Sequence, residues 1–137
     1  MMVDVDDFKA FNDRFGHPQG DGALAELAQI LRHCTRTDVD ILARYGGDEF
    51  MVILPQARAN GPEPTAARNV AGRIATAVRE HRFESVKGQR DVAMTVSIGV
   101  AGLGLGGYTA EEVLRSADKA LYLAKHEGKD GVSVFGT

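Results

Sequence analysis

The sequence predicts an α+β domain with a largely antiparallel sheet, and three observations carry that expectation. Two pairs of apolar runs flank short glycine-containing turns, Gly46-Gly47-Asp48-Glu49 and Lys87-Gly88-Gln89, so hairpins supply much of the sheet. Apolar residues recur at helical spacing in other stretches, and no strand-helix-strand period repeats along the chain. The length of 137 residues fits one domain, and 44% hydrophobic with 26% charged residues is the composition of a chain that folds.

Met1 to Val5 reads as the end of a strand, with Val3 and Val5 on one face and Asp4 on the other. Phe8, Phe11 and Phe15 follow at three- and four-residue spacing, so a helix is expected there, stopped by Gly16. A second helix starts at Pro18 and ends near Thr35, burying Leu24, Leu27, Ala28 and Leu31. Ile41 to Tyr45 and Phe50 to Leu54 form the first hairpin. The stretch Asn60 to Thr65 contains two prolines and reads as a loop before a third helix marked by Ala67, Val70, Ala71, Ile74 and Val78. Phe83 to Val86 and Val92 to Ala101 make the second hairpin, the later strand central and buried. Gly102 to Gly107 reads as a flexible linker, and Thr109 caps a last helix with Val113, Ala117, Ala120, Leu121 and Ala124 on its inner face. Val132 to Phe135 closes the chain as a strand.

Sixteen Lys plus Arg against nineteen Asp plus Glu give a net charge of −3, which disfavours a sequence-independent grip on a nucleic-acid polymer. Cys34 is the only cysteine, which excludes an intramolecular disulfide and fits a reducing compartment. The N-terminus lacks the basic start and apolar stretch of a secretory signal, and the glycine-rich run Ile98 to Tyr108 is far short of the ~20 residues of a membrane helix. A soluble, cytoplasmic domain is the expectation. His17, His33, His81 and His126 lack zinc-site spacing, Ser97 lacks the nucleophile-elbow glycine, and neither a P-loop nor a Rossmann fingerprint is present.

The chemistry concentrates at the first hairpin. Asp48 and Glu49 follow two glycines, which let a backbone approach a ligand closely. Alone, such a tip is a solvated turn. If the sheet sets Asp4 beside it, three carboxylates converge into a hard-oxygen site suited to Mg²⁺ with nucleotide phosphates completing the shell. Asp6 and Asp7 read instead as acids of a helical first turn, favoured by the helix dipole. Lys9, Lys125 and Lys129 are the basic residues placed to meet phosphate, although each taken alone is an ordinary surface lysine.

The segment Arg44-Tyr-Gly-Gly-Asp-Glu-Phe50 resembles the defining motif of the GGDEF, or diguanylate cyclase, family. The likeness runs along nearly the whole chain in family order: Asp4-Val-Asp-Asp-Phe-Lys9, Asn12-Asp13, Phe15-Gly-His17, Gly20-Asp21, Thr95-Val-Ser-Ile-Gly-Val-Ala101, Ala117-Asp118 and Ala120-Leu-Tyr-Leu-Ala-Lys125. The resemblance implies a mostly antiparallel five-stranded sheet flanked by helices, like nucleotidyl cyclases and polymerase palms, with a ferredoxin-like core. It implies condensation of two GTP into cyclic di-GMP and two pyrophosphates by a homodimer, each chain giving half a site. It also implies Mg²⁺ or Mn²⁺, two ions per half-site, held by Asp4, the Val5 carbonyl and Glu49. Asp48 would share a metal or help activate the 3′-hydroxyl, making Asp48 and Glu49 the catalytic pair. Phe8, Lys9, Asn12, Asp21, Gly46, Gly47, Lys125 and Lys129 correspond to substrate contacts, with Asn12 and Asp21 reading guanine. A catalytically impaired domain that binds GTP or cyclic di-GMP for signalling is the alternative, and a sensor or receiver domain, cytoplasmic or membrane-anchored, is the partner the resemblance implies.

Three departures from the family pattern carry expectations. Where members often have Arg-x-x-Asp at a product-inhibition site, this chain has Thr37-Asp-Val-Asp40, so only Asp40 remains and the site is degenerate, with Arg36 displaced by one position. Lys129-Asp130 stands where the family usually has Arg-Asn, which loses the planar bidentate fork. The family's Asp-x-Leu-Thr-Gly-Leu-x-Asn-Arg helical segment is not in residues 1–137, and reduced stability or altered dimerisation is expected from its absence.

Overall fold

A computed structural model describes residues 1–55 and 65–137. The elements run β1 (Met2–Val5), α1 (Phe8–Phe15), α2 (His17–Cys34), β2 (Ile41–Gly46), β3 (Glu49–Ile53), α3 (Thr65–Glu80), β4 (Arg82–Val86), β5 (Gln89–Ala93), β6 (Val96–Val100), α4 (Ala110–His126) and β7 (Gly131–Val134). Five strands form one sheet in the order β2-β3-β1-β6-β7, antiparallel except for the β6–β7 pair, and β4–β5 form a separate two-stranded sheet. The α+β expectation with a mostly antiparallel five-stranded sheet is met.

Strand alternation sorts the residues onto two faces. Val3, Val5, Phe50, Val52, Val96, Ile98 and Val100 pack with Phe11 of α1, Leu24, Leu27 and Leu31 of α2, and Ile74 and Val78 of α3. Each fully buried Leu, Ile or Val there contributes roughly 1.5–3 kcal/mol. On the other face α4 lies over β6, β7 and β1, burying Met2, Ala117 and Leu121. Gly99 makes that approach possible, since a Cβ there would collide with the Ala117 carbonyl oxygen and the Leu121 nitrogen. Thr109 caps α4 by accepting from the Glu112 N–H at 3.2 Å, and Glu112 accepts in return from the Thr109 N–H at 3.1 Å.

Several expectations are corrected. The strand expected over Val92 to Ala101 is two strands in two sheets, because Thr95 leaves the hairpin to pair with β1: its carbonyl accepts from Asp6 N–H at 2.9 Å. Asp6 and Asp7 precede α1 rather than occupying its first turn; Asp7 is its N-cap in the left-handed region at φ 56°. Asp6 is buried and accepts from Thr95 Oγ1 at 2.7 Å, Ser97 Oγ at 2.7 Å and Asp130 N–H at 3.0 Å. Three donors converging on one carboxylate fix the end of β1 to β6 and to the turn before β7. The Gly102–Gly107 stretch is an organised turn, with a Gly104–Gly107 bridge and the Gly106 carbonyl accepting from Ser116 Oγ at 2.7 Å. Cys34 is half-buried. Of the proline-containing loop, residues 60–64 lie outside the described residues, and Thr65 already belongs to α3. Among the described residues no helix is long and apolar enough to cross a membrane.

Candidate active site

The register of the three central strands builds the site. Asp4 pairs with Glu49 of β3 on one side and with Ser97 of β6 on the other, so the three side chains stand in a row on the face that α4 covers. The hairpin tip folds over the end of β1, where Val5 N–H donates to the Asp48 carbonyl at 3.3 Å. Gly47 adopts φ +52°, which a glycine tolerates at no steric cost. Arg44 closes the tip by donating from Nε and Nη2 to the Gly47 carbonyl at 2.9 and 2.7 Å. The sequence reading assigned Arg44 no such role; its bond spans only three residues, a separation that local pattern could have flagged.

Electrostatics mark this end of the sheet as unusual. Like charges directly across two strands are destabilising, and here Asp4 faces Glu49 with Asp48 nearby. Burial pushes the Asp4 carboxyl above its ordinary range, the Lys125 hydrogen bond opposes this, and the Asp48 charge adds to the rise. Glu49 is likewise raised, first by burial and then by Asp4, Asp118 and Asp48. Lys125 Nζ lies 2.9 Å from Asp4 Oδ1, an ion pair that gives this buried oxygen its cationic partner. Asp118 and Lys125 are seven residues apart on α4 and so share a face. Asp118 is a further acid that the sequence reading quoted only as part of a motif.

Among the described residues no three acidic, histidine or cysteine side chains converge closely enough to form a complete metal cage. The convergence of Asp4, Asp48 and Glu49 into one three-carboxylate site, expected from the sequence, is therefore not met; Mg²⁺ needs only one or two carboxylates, its remaining positions going to water and phosphate. The donor set fits such an ion: the Asp4 and Glu49 carboxylates stand side by side across β1 and β3, with Lys125 alone, among the described residues, paired to them.

The other anticipated residues divide into groups. Phe8, Asn12 and Gly20 meet where α1 packs on α2. Asp21 lines an open groove of about 320 Å³ between α2 and the first hairpin, together with Leu24, Leu42, Arg44 and Phe50. Lys9 is exposed on the first turn of α1. Lys129 is paired with Asp7 at 2.7 Å. Asp40 is covered and bound by Arg36, Nη2 to Oδ1 at 2.8 Å and Nε to Oδ2 at 3.2 Å, which holds its carboxyl below the usual range.

Comparison with known proteins places this geometry. The model of the family described as "Diguanylate cyclase, GGDEF domain" matches residues 1–131. Diguanylate cyclase A of Treponema denticola is 39% identical over 134 residues, which cover 98% of this chain and 34% of that protein. The chain thus spans about a third of that curated relative's length. The GGDEF domain of PA1120 (YfiN or TpbB) from Pseudomonas aeruginosa superimposes with a TM-score of 0.86 at 31% identity, over 99% of this chain and 80% of that one. The GGDEF domain of DgcB from Caulobacter crescentus, solved in complex with c-di-GMP, gives a TM-score of 0.86 at 29% identity, over 99% of this chain and 76% of that one. With the motif, the sheet order and these relatives in agreement, the chain belongs to the GGDEF family of diguanylate cyclase domains.

Proposed function

We propose that this domain condenses two GTP molecules into cyclic di-GMP, each chain of a facing homodimer supplying one half-site. The observation that carries the reading is the cross-strand pair Asp4–Glu49, two carboxylates kept together at the end of β1 although burial raises both and the Asp4 charge raises Glu49 further. Each 3′-hydroxyl attacks the α-phosphorus of the opposed nucleotide, the new P–O bond forming as the bond to pyrophosphate breaks. One Mg²⁺ or Mn²⁺ ion, or two, held by Asp4, Glu49 and the Val5 carbonyl would neutralise charge on the phosphate oxygens and acidify the attacking hydroxyl.

The chain's own groups position the reactants. Asp48 and Glu49, on the hairpin tip, are the acids offered to the reacting end, and Gly46 and Gly47 leave room for phosphate against backbone. Lys125 exchanges Asp4 for a phosphate oxygen, and Lys9 and Lys129 add point charges on the same substrate. Asp21 accepts from guanine N1–H and N2–H₂, a donor pair that adenine lacks, and Asn12 supplies a second polar contact to the base, with Phe8 beside it. Product binds weakly at Asp40, because Arg36 is already committed to that carboxylate and Thr37 offers no fork. GTP as substrate sets the domain on the cytoplasmic side, joined in a longer protein to a sensor or receiver that controls dimer contact.

The test is Mg²⁺-dependent conversion of GTP to cyclic di-GMP at high protein concentration, read by chromatography, with Glu49→Ala as control. Product that disappears in the control supports the cyclase. Intact GTP binding with no product from the unaltered chain supports a signalling domain without turnover.

A further inference from the structure

Asp7 is the N-cap of α1, a position at which an aspartate ordinarily accepts from the first free N–H groups of its own helix. Asp7 makes no such bond. With φ at 56° its carboxylate is taken up instead by Lys129, whose Nζ lies 2.7 Å from Oδ1 in the turn between α4 and β7. That turn is pinned from several sides. Gly128, Lys129 and Asp130 have successive positive φ values of 114°, 63° and 44°, although residues with side chains rarely adopt that region. The Lys129 N–H donates to the Ala124 carbonyl at 3.1 Å, the Asp130 N–H to Asp6 Oδ2 at 3.0 Å, and Arg79 Nε to Asp130 Oδ2 at 2.8 Å. Lys129 therefore stands at the end of β1 that carries the Asp4–Glu49 pair: the Asp6 charge adds both to the rise that burial gives Asp4 and to the rise that Asp7 gives Lys129. Both members of the Asp7–Lys129 pair are solvent-exposed, so an arriving anion reaches it without opening the fold.

We propose that in the free domain the Asp7 carboxylate occupies the place that a substrate phosphate takes on Lys129, which makes Asp7 an internal competitor that sets the affinity for GTP. The inference rests on the proposed phosphate contact of Lys129. A carboxylate, like a phosphate, offers the ammonium an anionic oxygen acceptor. Two anions on one ammonium repel each other, so the substrate binds at the expense of an ion pair already made. An exposed pair of this kind is weak, which sets the effect at a few-fold in affinity.

A double-mutant cycle tests this on the full chain, with Kd for a non-hydrolysable GTP analogue read by calorimetry in Mg²⁺. Asp7→Asn removes the charge and keeps a residue that tolerates the left-handed φ, and Asp7→Gly removes the side chain at no cost to that φ. Each is expected to tighten binding about three- to fivefold, with the melting temperature unchanged within about two degrees. Lys129→Gln is expected to weaken binding about fivefold, and in that background neither Asp7 substitution is expected to add anything. Absence of the gain in either Asp7 variant overturns the proposal, as does a gain that persists in full beside Lys129→Gln, because Asp7 then acts as a bystander charge. If Lys129→Gln binds like the unaltered chain, the phosphate contact of Lys129 fails and the proposal with it. If Lys129→Gln weakens binding and the Asp7 variants change nothing, that contact stands and the competition alone fails.

Discussion

Two carboxylates at helix–sheet junctions, Asp4 and Glu26, have opposite environments. Glu26 of α2 accepts from His81 Nε2 at 3.0 Å, from Arg90 Nη1 and from Glu84 N–H at 3.4 Å, tying α2 to the end of α3 and to the β4–β5 sheet. Burial pushes the Glu26 carboxyl upward, but the bonds from Arg90, His81 and the Glu84 backbone outweigh it and the net shift is down. Asp4 is pushed up first by burial and then by the charges of Asp48 and Asp6, with Lys125 alone opposing, and its net shift is up. Donors outweigh burial at the first cluster, whereas burial and neighbouring negative charge outweigh the one donor at the second. The surplus of donors fixes structure, whereas the surplus of negative charge is a site that gains from an outside cation.

The sharpest way to break this contrast is at the charge-rich end. Glu49→Gln is expected to lower cyclic di-GMP formation by at least about 100-fold while leaving the melting temperature equal or higher, because a like-charge pair is relieved. A parallel loss of stability would make Glu49 a structural acid. Next in size is Asp6→Ala, which strips the acceptor from Thr95, Ser97 and the Asp130 N–H at once. Urea unfolding is expected to show a loss of about 3 kcal/mol, since buried donors left unsatisfied cost more than the bond itself contributed.

Glu26→Gln comes third, at about 1–2 kcal/mol near neutral pH. Its sign with pH follows from the lowered folded-state pKa. The stabilisation is complete above the ordinary carboxylate pKa and is lost as pH falls through the lowered value. Denaturation midpoints of Glu26→Gln and the unaltered chain should therefore converge toward acid pH, and a constant gap would show that the charge contributes nothing. The smallest effect belongs to Arg36→Ala, whose guanidinium is half exposed. Solvent screens the pair on the Arg36 side, and a melting curve unchanged within a degree or two is expected.

What the sequence made legible was local. Phe8, Phe11 and Phe15 announced α1, and the two glycine turns announced both hairpins. The pairing of Asp4 with the hairpin tip was legible through the family resemblance and through strand alternation. The function of Asp6 was not, because its partners lie 89, 91 and 124 residues away and no periodicity encodes them. For the same reason Val92 to Ala101 read as one strand: the chain changes sheets between Ala93, paired with Arg82, and Val96, paired with Val5, and the second partner is distant in sequence. Lys129 was placed on phosphate by position in a motif, whereas its pairing with Asp7 depends on a contact across 122 residues.

The central claim, that Asp4 and Glu49 form a cation site serving a nucleotide, is tested most directly by counting bound Mn²⁺ through its electron paramagnetic resonance signal, with a non-hydrolysable GTP analogue present. The unaltered chain is expected to bind one or two ions, and Asp4→Asn to weaken that binding by at least about tenfold while its melting temperature holds. Equal Mn²⁺ binding by the two proteins would contradict the account.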